Sequence, residues 1–236
     1  MNNQWAPRLG ASFDVKGDGK QKLFANYGRY HLPVATNTNI RLAGGEEFWE
    51  EYYALQSLKS DSTPNIGAQI GGRTVFSDGS IKDPKQIVDR NLKPMYQDEF
   101  IAGYQRALNK DWTVGIRGTY RTVGRFIEDM AIDETLNVYA RAQGIPTSRF
   151  NAGGNDYYVL SNPGQPVTFD LNFNDGKGVR TVTFSPAELR YPKAKRQYAA
   201  GEIFFERLYD GKWMMQGSYT HAYSWGNDEG SVLSDN

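Results

Sequence analysis

Three times along this chain, two runs of alternating residues are joined by a tight polar turn, and connections of roughly sixty residues or more part the resulting hairpins. The first pairs Leu9 to Val15 with Lys22 to Leu32 across KGDGKQ, whose glycines supply the positive φ of a sharp reversal. The second pairs Asp98 to Leu108 with Trp112 to Val123 across Asn109, Lys110 and Asp111. The third pairs Tyr198 to Leu208 with Trp213 to Tyr223 across YDGK. Consecutive strands are antiparallel, so all three turns fall at one end and the long connections, 33–96 and 124–197, at the other. Brief turns at one end and long loops at the other are the rhythm of a transmembrane β-barrel. The expected fold is therefore all-β: an antiparallel barrel segment of about six strands in three hairpins (near 8–32, 98–123 and 198–223), part of a larger barrel.

Composition narrows the partners. Mean hydropathy is −0.64, and no stretch approaches the roughly twenty apolar residues of a membrane helix, so any crossing falls to strands. The 15 Tyr, 12 Phe and 5 Trp suit surfaces that meet both lipid and water. Formal net charge is zero and no basic cluster interleaves with aromatics, which argues against nucleic acid as a partner. Cysteine is absent, so disulfides and thiolate metal sites are excluded. The opening MNNQWAPRLG lacks a secretory signal and the chain closes in the polar SVLSDN; an internal piece of a longer protein is expected.

The strand faces carry more. In Thr113 to Val123, Val114, Ile116, Gly118 and Tyr120 oppose Thr113, Arg117, Thr119 and Arg121. Trp213, Met215, Gly217 and Tyr219 oppose Met214, Gln216, Ser218 and Thr220, and Leu9, Ala11 and Phe13 oppose Arg8, Gly10 and Ser12. A soluble sheet with one wet face would alternate in the same way. Aromatic placement favours the membrane. Trp112 and Trp213 follow short turns, and the eight residues from Trp112 to Tyr120 span roughly 20 Å along the normal at ~3.3 Å per residue and ~40° tilt, near the ~25 Å apolar band of such barrels. Val114, Ile116, Tyr120, Met215 and Tyr219 are accordingly expected to face lipid, and Glu99, Arg117, Arg121 and Glu202 the lumen. Leu23, Ala25 and Tyr27 share a face with Arg29 and His31, so the apolar set ends where that strand nears its loop.

Chemistry-bearing motifs are few. DVKGDGK matches the opening of a calcium loop, but Lys16 stands at the second ligand position and no bidentate Glu follows. GDGK lacks Walker spacing. His31 and His221 lie on different hairpins without ligand-spaced partners, so neither a metal nor a cofactor is expected. Ser218 has no elbow or partner base, and no enzyme is read from the chain. The segment EEFWEEYYALQSL places Phe48, Tyr52 and Leu55 at helical spacing, predicting a short helix in the first connection. There Trp49, Tyr52 and Tyr53 are either loop packing or an external ligand contact.

The phrases WAPRLGASFDVKGDGKQKLFANYGRYHLP, NLKPMYQDEFIAGYQRAL, TYRTVGRFIEDM and SYTHAYSWGNDEG, in that order, resemble the barrel of TonB-dependent outer-membrane receptors, Oar-like branch. The resemblance implies a barrel of about 22 strands in the cell outer membrane. It also implies a plug domain inside the barrel, an inner-membrane energy-transducing complex as partner, and an imported ligand that this sequence does not name. Two other readings stay open: a structural or adhesive barrel without energised transport, and a soluble glycan-binding β-domain using Trp49, Tyr52 and Tyr53. An upstream plug would separate the first two, and detergent dependence would separate the third.

Overall fold

A computed structural model describes residues 4–34, 45, 47–81, 83–146 and 157–228; the closing SVLSDN lies outside them. Among the described residues 56% are strand and 9% helix, so the chain is all-β.

The three turns form because short polar side chains satisfy the reversing backbone. Asp14 accepts from the amides of Gly19 (2.6 Å) and Lys16 (3.2 Å), while Gly17 and Gly19 take φ near +70° (69° and 71°), open to glycine at no steric cost. Asn109 accepts from the amides of Asp111 (2.9 Å) and Trp112 (3.0 Å). Asp210 does the same for Lys212 (3.0 Å) and Trp213 (3.3 Å) and also takes the Arg207 guanidinium (2.6 Å). These contacts hold its carboxyl far below the usual carboxylate range.

The strands so connected are β1 (Arg8–Phe13) with β2 (Gln21–His31), β5 (Tyr96–Ala107) with β6 (Trp112–Arg125), and β11 (Arg196–Arg207) with β12 (Met215–Gly226), β3, β4 and β7 to β10 belonging to the long connections. They join in one antiparallel sheet of order β1-β2-β5-β6-β11-β12, the arrangement of a barrel-wall segment. Glycines let aromatic rings lie across neighbouring strands: a Cβ on Gly103 would collide with Phe24, and one on Gly115 with Phe204.

The long connections are built, not bare. Glu47–Leu58 forms β3 and pairs with β4 (Pro64–Asp78) in a separate two-stranded sheet. This corrects the expected helix at EEFWEEYYALQSL. Its Phe, Trp and Tyr residues are better strand than helix formers, and the facing Ile66, Ile70 and Val75 complete a hairpin that a one-segment periodicity cannot register. Hydroxyls of Tyr52 and Tyr53 donate to Glu50 (2.7 Å) and Glu51 (2.8 Å), pairs two residues apart as same-face strand neighbours are.

The first connection ends in α1 (Pro84–Ile87), capped by Asp83. The second holds β7 (Glu128–Ala131), α2 (Asp133–Ala142), β8 (Tyr158–Ser161), β9 (Val167–Asn172), β10 (Val179–Phe184) and α3 (Pro186–Leu189), the last with a Ser185–Glu188 capping box. Here lies the hydrophobic core: Met130, Ile132, Leu136, Val159, Phe169, Phe173 and Phe184 are essentially excluded from solvent. The two connections dock. Arg90 bonds Asp170 (2.6 Å), the Asp89 carboxylate accepts from the Thr168 amide (2.9 Å), and buried Asn162 binds the backbone of Lys93 (2.8 and 3.0 Å) and the carbonyl of Phe126. The end of the first connection and the second connection together make a packed cap at the loop end of the sheet.

Candidate functional site

Register across the six strands sorts their side chains into two faces. One carries Leu9, Ala11 and Phe13 (β1), Leu23, Ala25 and Tyr27 (β2), Phe100, Ala102 and Tyr104 (β5), and Val114, Ile116 and Tyr120 (β6). It continues through Ala199, Ile203 and Phe205 (β11) to Met215, Tyr219 and Tyr223 (β12). All five residues expected to face lipid are thus brought to a single face. Among the described residues no element of protein covers it: Leu9, Phe13, Ile116, Ile203 and Tyr219 are 57–70% exposed. A sheet of this size in water would bury such a band, at about 25 cal/mol per Å2 of apolar surface.

Aromatic rings bound the band at both ends. At the turn end Trp112 contacts Phe205 (centroids 6.2 Å) and Trp213 (6.3 Å). The Arg207 guanidinium lies 3.7 Å from the Trp213 ring and is neutralised by Asp210. At the loop end a chain of rings crosses the sheet: Tyr27 to Phe100 (5.0 Å), Phe100 to Tyr120 (6.4 Å), Tyr120 to Trp225 (6.5 Å), Trp225 to Tyr223 (5.6 Å). Small Ala199 on the intervening strand leaves room for Tyr120 to reach Trp225.

The opposite face carries the charged pairs, with Phe24, Ile101 and Phe204 among them. Glu99 stands directly across from Arg121, and Glu202 from Arg117; each pair is an ion pair. Arg117 Nε donates to Glu202 at 2.9 Å, and Arg121 also lies over the Tyr198 ring at 5.2 Å. The four residues expected in a lumen therefore share one face and neutralise one another, and the carboxylates, at 14% and 17% exposed, are the more shielded partners.

The aromatic trio of the first connection does not converge. Trp49 and Tyr53 flank Glu51, which Arg73 bonds at 2.8 Å while its guanidinium stacks 4.0 Å from the Trp49 ring. Tyr52 bonds Glu50 instead, and strand alternation puts it on the other side of the hairpin.

One cluster went unseen in the sequence. Arg29 of β2 stands opposite Asp98 of β5 and bonds it at 2.8 and 2.9 Å, with the Tyr27 hydroxyl on the same carboxylate at 3.0 Å. The mixed face of β2 hinted at it, but its partner lies 69 residues on. In the cap, burial raises the Tyr157 hydroxyl to about 12; it donates to the Gln86 carbonyl at 3.0 Å. Burial, then the hydrogen bond and charge of Asp129 and the charge of Asp228, raise Glu128 to about 8. Among the described residues no group of three or more His, Cys, Asp or Glu is placed to hold a metal.

An uncovered apolar band between aromatic belts, backed by a face that carries paired charges, is consistent with the wall of a β-barrel. Among characterised proteins, the chain is similar to the TonB-dependent transporter Oar of Myxococcus xanthus, 23% identical over 252 residues, covering 98% of this chain and 20% of that protein. The chain thus spans about a fifth of the relative's length. No family model matches it, and no solved structure matches it.

Proposed function

We propose that this chain is a stretch of the barrel of an outer-membrane receptor of the TonB-dependent type, serving energised uptake of a ligand. The observation that carries the reading is the uncovered apolar face with an aromatic belt at each end. Water gives such a face no partner; lipid tails do, and the headgroup regions suit Trp and Tyr. The likeness to a transporter supports the same reading.

In this reading Val114, Ile116, Tyr120, Met215 and Tyr219 contact outer-membrane lipid. The Glu99–Arg121 and Glu202–Arg117 pairs line the interior against a plug domain of the parent chain, which engages the inner-membrane energy-transducing complex. The short turns face the periplasm and the cap faces outside the cell. Trp49 and Tyr53 are the first candidates for ligand contact, with Tyr52 on the reverse of the same hairpin. The two open edges, β1 and β12, are paired by further strands of the barrel.

Sedimentation and circular dichroism in detergent-free buffer test the membrane assignment. The account expects association or aggregation there and dispersal in detergent. A cooperative monomeric β-fold without detergent would contradict it.

A further inference from the structure

Where the apolar face ends on the loop side, the sheet builds a cationic cluster around one ring. Tyr96, the first residue of β5, meets two guanidiniums: Arg29 Cζ lies 4.0 Å from its ring centroid and Arg125 Cζ 5.4 Å. Tyr96 pairs with Arg125 across a register shift, and a Cβ on Gly124 would collide with the ring, so the bulge and its glycine are what let the ring lie between the arginines. Arg29 is neutralised by Asp98. Arg125 is not: it donates to the Pro94 carbonyl at 3.3 Å and makes no ion pair among the described residues. Two guanidiniums against one carboxylate leave a net positive charge.

The position of this charge matters as much as its sign. Along β2 and β5 the Arg29–Asp98 pair is the next same-face pair beyond Tyr27–Phe100, the start of the loop-end aromatic belt. Two residues of strand advance about 7 Å. A cation one such step beyond an interfacial aromatic belt stands at the depth of lipid headgroups. All three strands involved are interior to the sheet.

We propose that Arg125, Arg29 and Tyr96 hold the phosphate of an anionic membrane lipid whose tails lie on the aromatic belt below. The proposal rests on the reading that this face meets lipid and adds a headgroup class to it. The guanidinium fork suits phosphate oxygens, and stacking on Tyr96 holds the forks in place before the lipid arrives. A headgroup that lacks phosphate would leave Arg125 without an anion.

The test uses the full-length protein in dodecylmaltoside micelles, doped with phosphatidic acid or with diacylglycerol of the same tails, and counts retained lipid by native mass spectrometry. Phosphatidic acid should be retained about fivefold over diacylglycerol, the scale of one unpaired cation at a membrane surface. Arg125→Gln should lower retention to the diacylglycerol level, and Arg125→Lys should keep most of it. The wild-type comparison needs no variant to fold, and far-UV dichroism checks the variants. Equal retention of the two lipids by a protein that enters micelles would overturn the headgroup site alone. Displacement by millimolar inorganic phosphate would overturn the lipid as its ligand. Failure of the wild-type protein to enter micelles would overturn the lipid-facing reading and this site with it.

Discussion

Arg117 of β6 stands directly opposite Glu202 of β11, and its guanidinium closes on that carboxylate across the strand boundary. The same relation recurs between Arg121 and Glu99 and between Arg29 and Asp98, so the β6–β11, β5–β6 and β2–β5 boundaries each carry one arginine–carboxylate pair in register. Two of these boundaries, β2–β5 and β6–β11, join strands separated by a long connection, where no tight turn sets the register.

These pairs are expected to select register more than to add stability. Exposed cross-strand pairs contribute about 0.2–1 kcal/mol. Glu202→Arg alone should place like charges together and lower the midpoint of urea unfolding from lipid vesicles, and the exchange Arg117→Glu with Glu202→Arg should restore most of it. A double mutant no better than the single one would remove the pairing argument.

Positions on the two faces of the sheet should respond differently to charge. Ile116→Lys should cost roughly 2–4 kcal/mol if the site lies near the bilayer midplane, less toward an interface. Thr119→Lys, on the opposite face, should be much milder. Equal costs at the two positions, measured by the same unfolding assay, would say that both faces meet the same solvent.

The cap should lose stability as pH rises. Folding raises the Glu128 carboxyl from its ordinary 4.5 to about 8, through burial and the neighbouring Asp129 and Asp228. The folded cap therefore binds the proton more tightly than the unfolded chain, and the stability this lends is whole below about 4.5, declines as pH rises and is gone above about 8. Amide exchange in residues 128–131 and 158–161, which pair as β7 and β8, should quicken over that window once corrected for intrinsic rates. Glu128→Gln should flatten the dependence.

The cap core should fail locally. Phe169 is wholly buried among Tyr157, Phe184 and their neighbours, and Phe169→Ala should cost about 3–5 kcal/mol. Exchange protection should fall in β9 and β10 while the pairing of β5 with β6 holds. Loss of both together would show that cap and sheet unfold as one unit.

What could be read from the sequence was local. The Asp14, Asn109 and Asp210 turns announce themselves because a short polar side chain and a following glycine or tight spacing act within five residues. The parity of Val114, Ile116 and Tyr120 follows from period two alone. The cap was not legible, because its core joins Met130, Val159, Phe169 and Phe184 from scattered short elements, and its latch joins Asp89 and Arg90 of one connection to Thr168 and Asp170 of the other. At β3 the i, i+4, i+7 pattern of Phe48, Tyr52 and Leu55 suggests a helix where a strand forms, because the partner strand that decides it, β4, lies outside that segment. The convergence of Tyr96, Arg29 and Arg125 needed three strands in register and a bulge, neither of which a single segment encodes.

The two faces of β6 decide whether this sheet is a barrel wall, and one measurement reaches them directly. Spin labels placed singly from 113 to 121 in the full-length protein, reconstituted in vesicles, are probed with a lipid-soluble and a water-soluble relaxation agent. The prediction is strict alternation: 114, 116 and 120 relaxed by the lipid-soluble agent, and 113, 117 and 121 shielded from it and open to the aqueous agent or buried against protein. Uniform access to water along the strand, or a three-to-four residue period, would contradict the barrel-wall assignment.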